Sequence, residues 1–106
     1  MRSAGEVVIL DLSLLVANLS GDAVAVAQVL DLFCDQARVY AAQLRCQSEA
    51  SLRRAVVHAL RGSALTVGAN CLAQACEQAE AGGGLDAVMA ALDEAVAAIE
   101  AYDPAV

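Results

Sequence analysis

Residues 23–44 read AVAVAQVLDLFCDQARVYAAQL, and the spacing of apolar side chains in this stretch decides the fold. Val26, Leu30, Phe33, Ala37, Tyr40 and Leu44 fall at alternating steps of four and three, while Gln28, Asp31, Asp35 and Arg38 take the other side. That period fits the 3.6-residue turn of an α-helix and not the alternation of a strand, so it predicts a long amphipathic helix. Such a stripe has to be covered. A coiled-coil dimer seam would cover it with another chain, but further stripes of the same kind follow in this chain, so a bundle of its own is expected.

Toward the N-terminus, Asp11 can cap a short helix from about Leu12 to Leu19, ended by the Ser20-Gly21-Asp22 turn. Toward the C-terminus, Gln47-Ser48-Glu49 breaks the pattern, with Ser48 the expected cap of a helix over about 50–67. Leu52, Val56, Ala59, Ser63 and Val67 are expected to share its inward face, and Gly68 to close it. Residues 69–81 continue with Leu72, Ala75, Cys76 and Ala79 inward and Gln74, Glu77, Gln78 and Glu80 outward, until Gly82-Gly83-Gly84 turns the chain. From Leu85 a last stripe runs through Val88, Met89, Leu92, Val96 and Ile99 before Asp103-Pro104 stops it. Short loops force neighbouring helices to run antiparallel. The expected fold is therefore all-α: an up-down-up-down antiparallel four-helix bundle with a short additional N-terminal helix, as one domain over residues 1–106.

Composition narrows the function. The 106 residues are 59% hydrophobic but only 3% aromatic, with alanine supplying much of the apolar content, as suits close helix packing. Thirteen acidic against six basic side chains give a net charge of -7, which opposes binding to nucleic acid or anionic lipid. No apolar run approaches the roughly twenty residues of a membrane span, and the start of the chain lacks the form of a signal peptide. Cysteines 34, 46, 71 and 76 form no C-x-x-C pair. Cys34, Cys71 and Cys76 read as small core hydrophobes, and free thiols without an export signal point to the cytoplasm.

His58 is the only histidine. At 100° per residue it points about 150° away from the expected inward face, toward solvent. Arg54 stands one turn before it and Arg61 one turn after, so two of six cations in an acidic chain flank the one imidazole. Neighbouring cations disfavour the imidazolium form and leave the ring nucleophilic; once the ring carries a phosphoryl group, the guanidiniums can pair with its oxygens. Gly62 is a mid-helix glycine, at a cost of about 1 kcal/mol relative to alanine. Two readings fit it: clearance for a partner approaching His58, or close packing against a neighbouring helix.

Residues 58–69, HALRGSALTVGA, resemble the H-x-L-K-G-S-A-x-x-x-G-A signature of histidine-containing phosphotransfer (HPt) domains. The continuation Leu72 to Glu80 and the earlier Leu10-Asp11, Gly21-Asp22 and Leu30–Phe33 are similar too, so the resemblance spans nearly the whole chain. It implies a histidine phosphotransfer protein of a two-component phosphorelay, with His58 phosphorylated on a ring nitrogen. The phosphoryl group would come from a receiver-domain aspartate or a kinase and pass to another response regulator. Partners implied are response-regulator receiver domains and a hybrid histidine kinase. The chain would be a carrier and not an enzyme, with no cofactor or metal of its own, the receiver supplying the aspartate and its Mg²⁺. Arg61 departs from the family's usual lysine but keeps the charge that would stabilise the phosphoryl oxygens, with Arg54 a second candidate. By position Glu80 corresponds to the family residue that hydrogen-bonds the other imidazole nitrogen; an ordinary exposed glutamate, or competition from Glu77, are the alternatives. Leu65, two turns beyond His58, is expected to meet the partner. Leu14 and Leu15 are further docking candidates, unless they cover the bundle end. Met1 and the extent of the match suggest a free-standing shuttle.

Three rivals remain. An HPt-like interaction module would bind a receiver or kinase without transfer, but such a module need not keep His58 with Arg61, Gly62 and Ser63. A metal- or haem-binding bundle needs a convergent ligand set that one histidine does not provide. An autonomous kinase needs a nucleotide site, and Gly82–Gly84 lacks the Lys-Ser/Thr and strand context of a P-loop.

Overall fold

The longest helix begins where Asp22 turns its carboxylate onto the backbone, Oδ1 accepting from the N–H groups of Val24 at 3.0 Å and Ala25 at 3.2 Å. This N-cap satisfies two donors that the first turn would otherwise leave open. The structure, a computed structural model, describes residues 9–102. Its helices are α1 (Ser13–Asn18), α2 (Ala23–Cys46), α3 (Ala50–Val67), α4 (Asn70–Glu80) and α5 (Asp86–Ala101). The stop signal Asp103-Pro104 lies outside the described residues.

Helices α2 to α5 form the expected up-down-up-down bundle. Each packs on its chain neighbour, α2 also packs on α5, and α2 and α4 stand on the diagonal. Val26, Leu30, Phe33, Cys34, Ala37, Ala41 and Leu44 of α2 enter a common core with Leu60, Leu72, Cys76, Val88, Leu92 and Ile99. Tyr40, placed on the inward stripe by its spacing, is only half-buried, and Ala41 takes the buried position beside it. On α5, Met89 and Val96 line the edge of the core while Ala95 is buried, and on α4 Ala79 is half-buried whereas Ala73 is buried. Cys34 and Cys76 are buried as expected, whereas Cys71 is half-buried. No described helix is long and apolar enough to cross a membrane.

Helix α3 is rotated from its expected phase. The buried stripe is Val57, Leu60, Ala64 and Val67; Leu52 and Ala59 are exposed and Val56 and Ser63 half-buried. Apolar residues occur all round this helix, and the adjacent Val56 and Val57 support two phases about 100° apart. Packing against α4 selects the second. Nor is Ser48 the cap. Glu49 occupies that position, and its N–H is met from outside the helix by Gln47 Oε1 at 3.0 Å. Arg53 Nη1 closes the break by donating to the carbonyls of Ser48 at 2.6 Å and Gln47 at 3.1 Å.

Gly68 ends α3 at φ +80°, the left-handed conformation that costs other residues strain. The Ala69 N–H then reaches back to Ala64 O at 2.8 Å, a Schellman closure that sends α4 back antiparallel to α3. The same glycine receives the N-terminal segment: Gly68 O accepts the Asp11 N–H at 2.8 Å, and a Cβ on Gly68 would fall on the Asp11 carbonyl. Asp11 Oδ1 in turn accepts from Ser13 N–H at 3.0 Å and Ser13 Oγ at 2.6 Å, which opens α1. The N-cap position itself falls on Leu12, which makes no side-chain capping bond, so Asp11 stands one residue before the place expected of it and holds the turn through Ser13. Helix α1 packs on α2 and α3 and sends Leu15 into the core.

Candidate functional site

His58 follows Val57 on α3 and is turned 100° from it, out of the core, with its side chain 73% exposed. The ring is held by α4. His58 precedes Gly68 by ten residues and Glu80 follows Ala69 by eleven, so the antiparallel closure brings them level. Nδ1 of His58 lies 3.0 Å from Glu80 Oε1. Glu80 closes α4 with its side chain only 19% exposed, and its other oxygen, Oε2, accepts from Arg61 Nη1 at 2.9 Å. One carboxylate therefore ties together two residues of α3.

An ionised carboxylate can only accept, so the contact fixes Nδ1 as the protonated nitrogen. In the neutral ring the lone pair then sits on Nε2. Glu80 is not the outward side chain its position in the α4 stripe suggests, because the imidazole and the guanidinium both draw it onto α3. Glu77, its competitor, is exposed and has no contact with the ring among the described residues. The spacing about Gly68 was the sequence signal that separates the two glutamates.

Arg61, expected to face solvent freely, is half-buried and committed through Nη1 to Glu80. The ion pair joins α3 to α4 and takes Arg61 out of free solvent. Arg54, one turn before His58, is exposed and makes no salt bridge among the described residues. It shares a shallow depression with His58, Ser51, Ala55 and Glu80. Of the two cations expected beside the ring, Arg54 is the one whose charge is uncommitted.

Gly62 is exposed, and a Cβ built on it would meet nothing within 4 Å. Close packing against a neighbouring helix is thereby excluded as the reason for this glycine. Leu65, two turns beyond His58, is 52% exposed, and Leu14 on α1 is 65% exposed. Leu15 is a correction: at 5% exposed it is a core residue with no surface to offer a partner. Beneath the site, burial pushes the Cys76 thiol up to about 11; Glu80, one turn on, adds to the rise and Arg61 opposes it. That thiol stays protonated near neutral pH and is no nucleophile.

A family model for the Hpt domain matches residues 28–103. The crystal structure of histidine phosphotransferase ShpA from Caulobacter crescentus superposes with a TM-score of 0.80 and 36% sequence identity, covering 90% of each chain. A search among curated proteins returns no match.

Proposed function

The chain belongs to the Hpt domain family, and we propose that in this histidine phosphotransfer protein His58 is the residue that carries the phosphoryl group through the phosphorelay. The observation that supports it is the contact of Nδ1 with Glu80 Oε1 in a ring otherwise open to solvent. With Nδ1 protonated and held, Nε2 is the free nucleophile. It attacks phosphorus of a phospho-aspartate on a receiver domain; the Nε2–P bond forms as the P–O bond to aspartate breaks, and the aspartate leaves as a carboxylate. Positive charge developing on the ring is balanced by Glu80. Transfer to a second receiver runs the same steps in reverse.

The protein is a phosphoryl carrier, and the receiver brings the aspartate and a Mg²⁺ that neutralises the phosphoryl oxygens in flight. Arg61 anchors Glu80 with Nη1 and keeps its remaining donors for those oxygens, while Arg54 approaches them from the preceding turn. Gly62 leaves the space through which the receiver's active site reaches the ring. Leu65 and Leu14 offer apolar contact around it. Receiver domains and a hybrid histidine kinase are the partners, acting in the cytoplasm.

The test is incubation with a radiolabelled phospho-receiver and Mg²⁺. Label that is acid-labile but base-stable is expected on the wild type and none on His58→Gln. Label retained by His58→Gln, or absent from a wild type that still binds the receiver, sinks the carrier assignment.

A further inference from the structure

The side of α2 turned away from the bundle carries a second pattern, distinct from the core stripe. Leu32 is 63% exposed and Val39 56% exposed, and with exposed Cys46 they recur every seven residues. That spacing keeps them along one strip of helix surface, the geometry of a seam. Because α2 stands diagonal to α4, the strip lies on the far side of the bundle from Glu80.

One position before each of these residues is a charge: Asp31, Arg38 and Arg45. The middle one is satisfied at home, since Arg38 donates to Asp35 at 3.2 Å and to Glu100 of α5 at 3.5 Å. Asp31 and Arg45 make no salt bridge or side-chain hydrogen bond among the described residues. They are opposite in sign, fourteen residues apart, about 21 Å along the helix, and Arg38 is midway. Val39 is likewise midway between Leu32 and Cys46.

We infer that this outer face of α2 is a self-complementary interface whose occupant is a second copy of the chain, laid antiparallel about a two-fold axis near Val39. In an antiparallel helix pair the same flanking row of each helix meets. The operation therefore sets Val39 against Val39, Leu32 against Cys46, and Asp31 within reach of Arg45 of the other copy, twice over. A parallel pairing would instead set this row of each helix against the opposite flanking row of the other, so Asp31 and Arg45 would not meet. An isologous contact of this kind closes on itself, and the charge pattern selects it over the parallel one. The strip is modest in apolar content, so the dimer is a weak, reversible one. Both copies keep His58 open.

Sedimentation equilibrium over a concentration series is expected to show a reversible monomer–dimer transition for the wild type. Val39→Glu should shift it to monomer while circular dichroism keeps the helical signal and melting temperature, which separates lost association from lost folding. Asp31→Arg and Arg45→Asp should each weaken the dimer at least tenfold, and the double reversal should restore it. Val39→Cys should form an oxidised dimer readily, whereas native Cys46, displaced from its counterpart by fourteen residues, should not. A wild type that stays monomeric throughout, a dimer indifferent to Val39→Glu, or a double reversal that fails to rescue overturns the inference. So does a monomer in which Val39→Glu abolishes receiver binding, since the face then belongs to the receiver.

Discussion

Oε1 of Glu80 sits 3.0 Å from Nδ1 of His58, the end of one helix gripping the middle of its antiparallel neighbour. The grip decides which ring nitrogen is left for chemistry, and it depends on a carboxylate whose other oxygen is anchored by Arg61. Glu80→Ala should therefore release the ring into a mixture of tautomers, visible in the ¹⁵N shifts of the imidazole, and slow phosphoryl uptake by about tenfold or more. Glu80→Gln retains an acceptor for Nδ1 and should lose less. Equal loss in both variants would mean that charge, and not orientation, is what Glu80 supplies.

Gly62→Ala separates stability from transfer. With nothing within 4 Å of the added methyl group, the substitution should stabilise the fold by up to about 1 kcal/mol in urea denaturation, through better helix propensity. Phosphoryl transfer from the receiver should nevertheless slow, because the methyl group stands where the partner must come close. A variant that is both more stable and fully active would leave Gly62 without the role proposed for it.

Gly68→Ala should do the opposite. Here the backbone is left-handed and the methyl group would collide with the Asp11 carbonyl, so a loss of about 2 kcal/mol or more is expected. Urea midpoints measured side by side for the two glycine variants should move in opposite directions.

Alkaline pH should weaken the fold through Cys76. The thiol of the unfolded chain loses its proton near 9.0, while the folded protein holds its proton up to about 11. Between those values the unfolded state binds fewer protons, so stability falls as pH rises through that window. Melting temperature followed from pH 8 to 11 should fall less steeply in Cys76→Ala. Thiol reagents at neutral pH should label exposed Cys46 well before Cys76.

Much of this architecture is legible in the sequence, and where it is not the cause is specific. The stripe of α2 is flanked by charge, so its phase is forced, and Gly68 marks the end of α3 without ambiguity. The phase of α3 is not forced, because Leu52, Val56, Val57, Leu60, Leu65 and Val67 leave no consistently polar side. Only the neighbouring helix decides which of them is buried. The outward setting of His58 survives that rotation, since it lies well away from either stripe. Leu14 and Leu15 sit in a helix of six residues, too short for periodicity to say that one is exposed and the other buried. Reading Glu80 as an outward glutamate fails for a different reason: a half-buried ion pair between two helices leaves no trace in the periodicity of either one, and only the matched spacing of His58 and Glu80 about Gly68 carries it.

The join between Asp11 and Gly68 is made by main-chain atoms on both sides. An engineer could thus exchange the exposed side chains of the first helix, or graft another helix that keeps a leucine at position 15, with the fastening untouched so long as residue 68 stays glycine. Such a graft would put a new recognition element at the Gly68 end of α3, about 15 Å along that helix from His58, without redesigning the four helices beneath it.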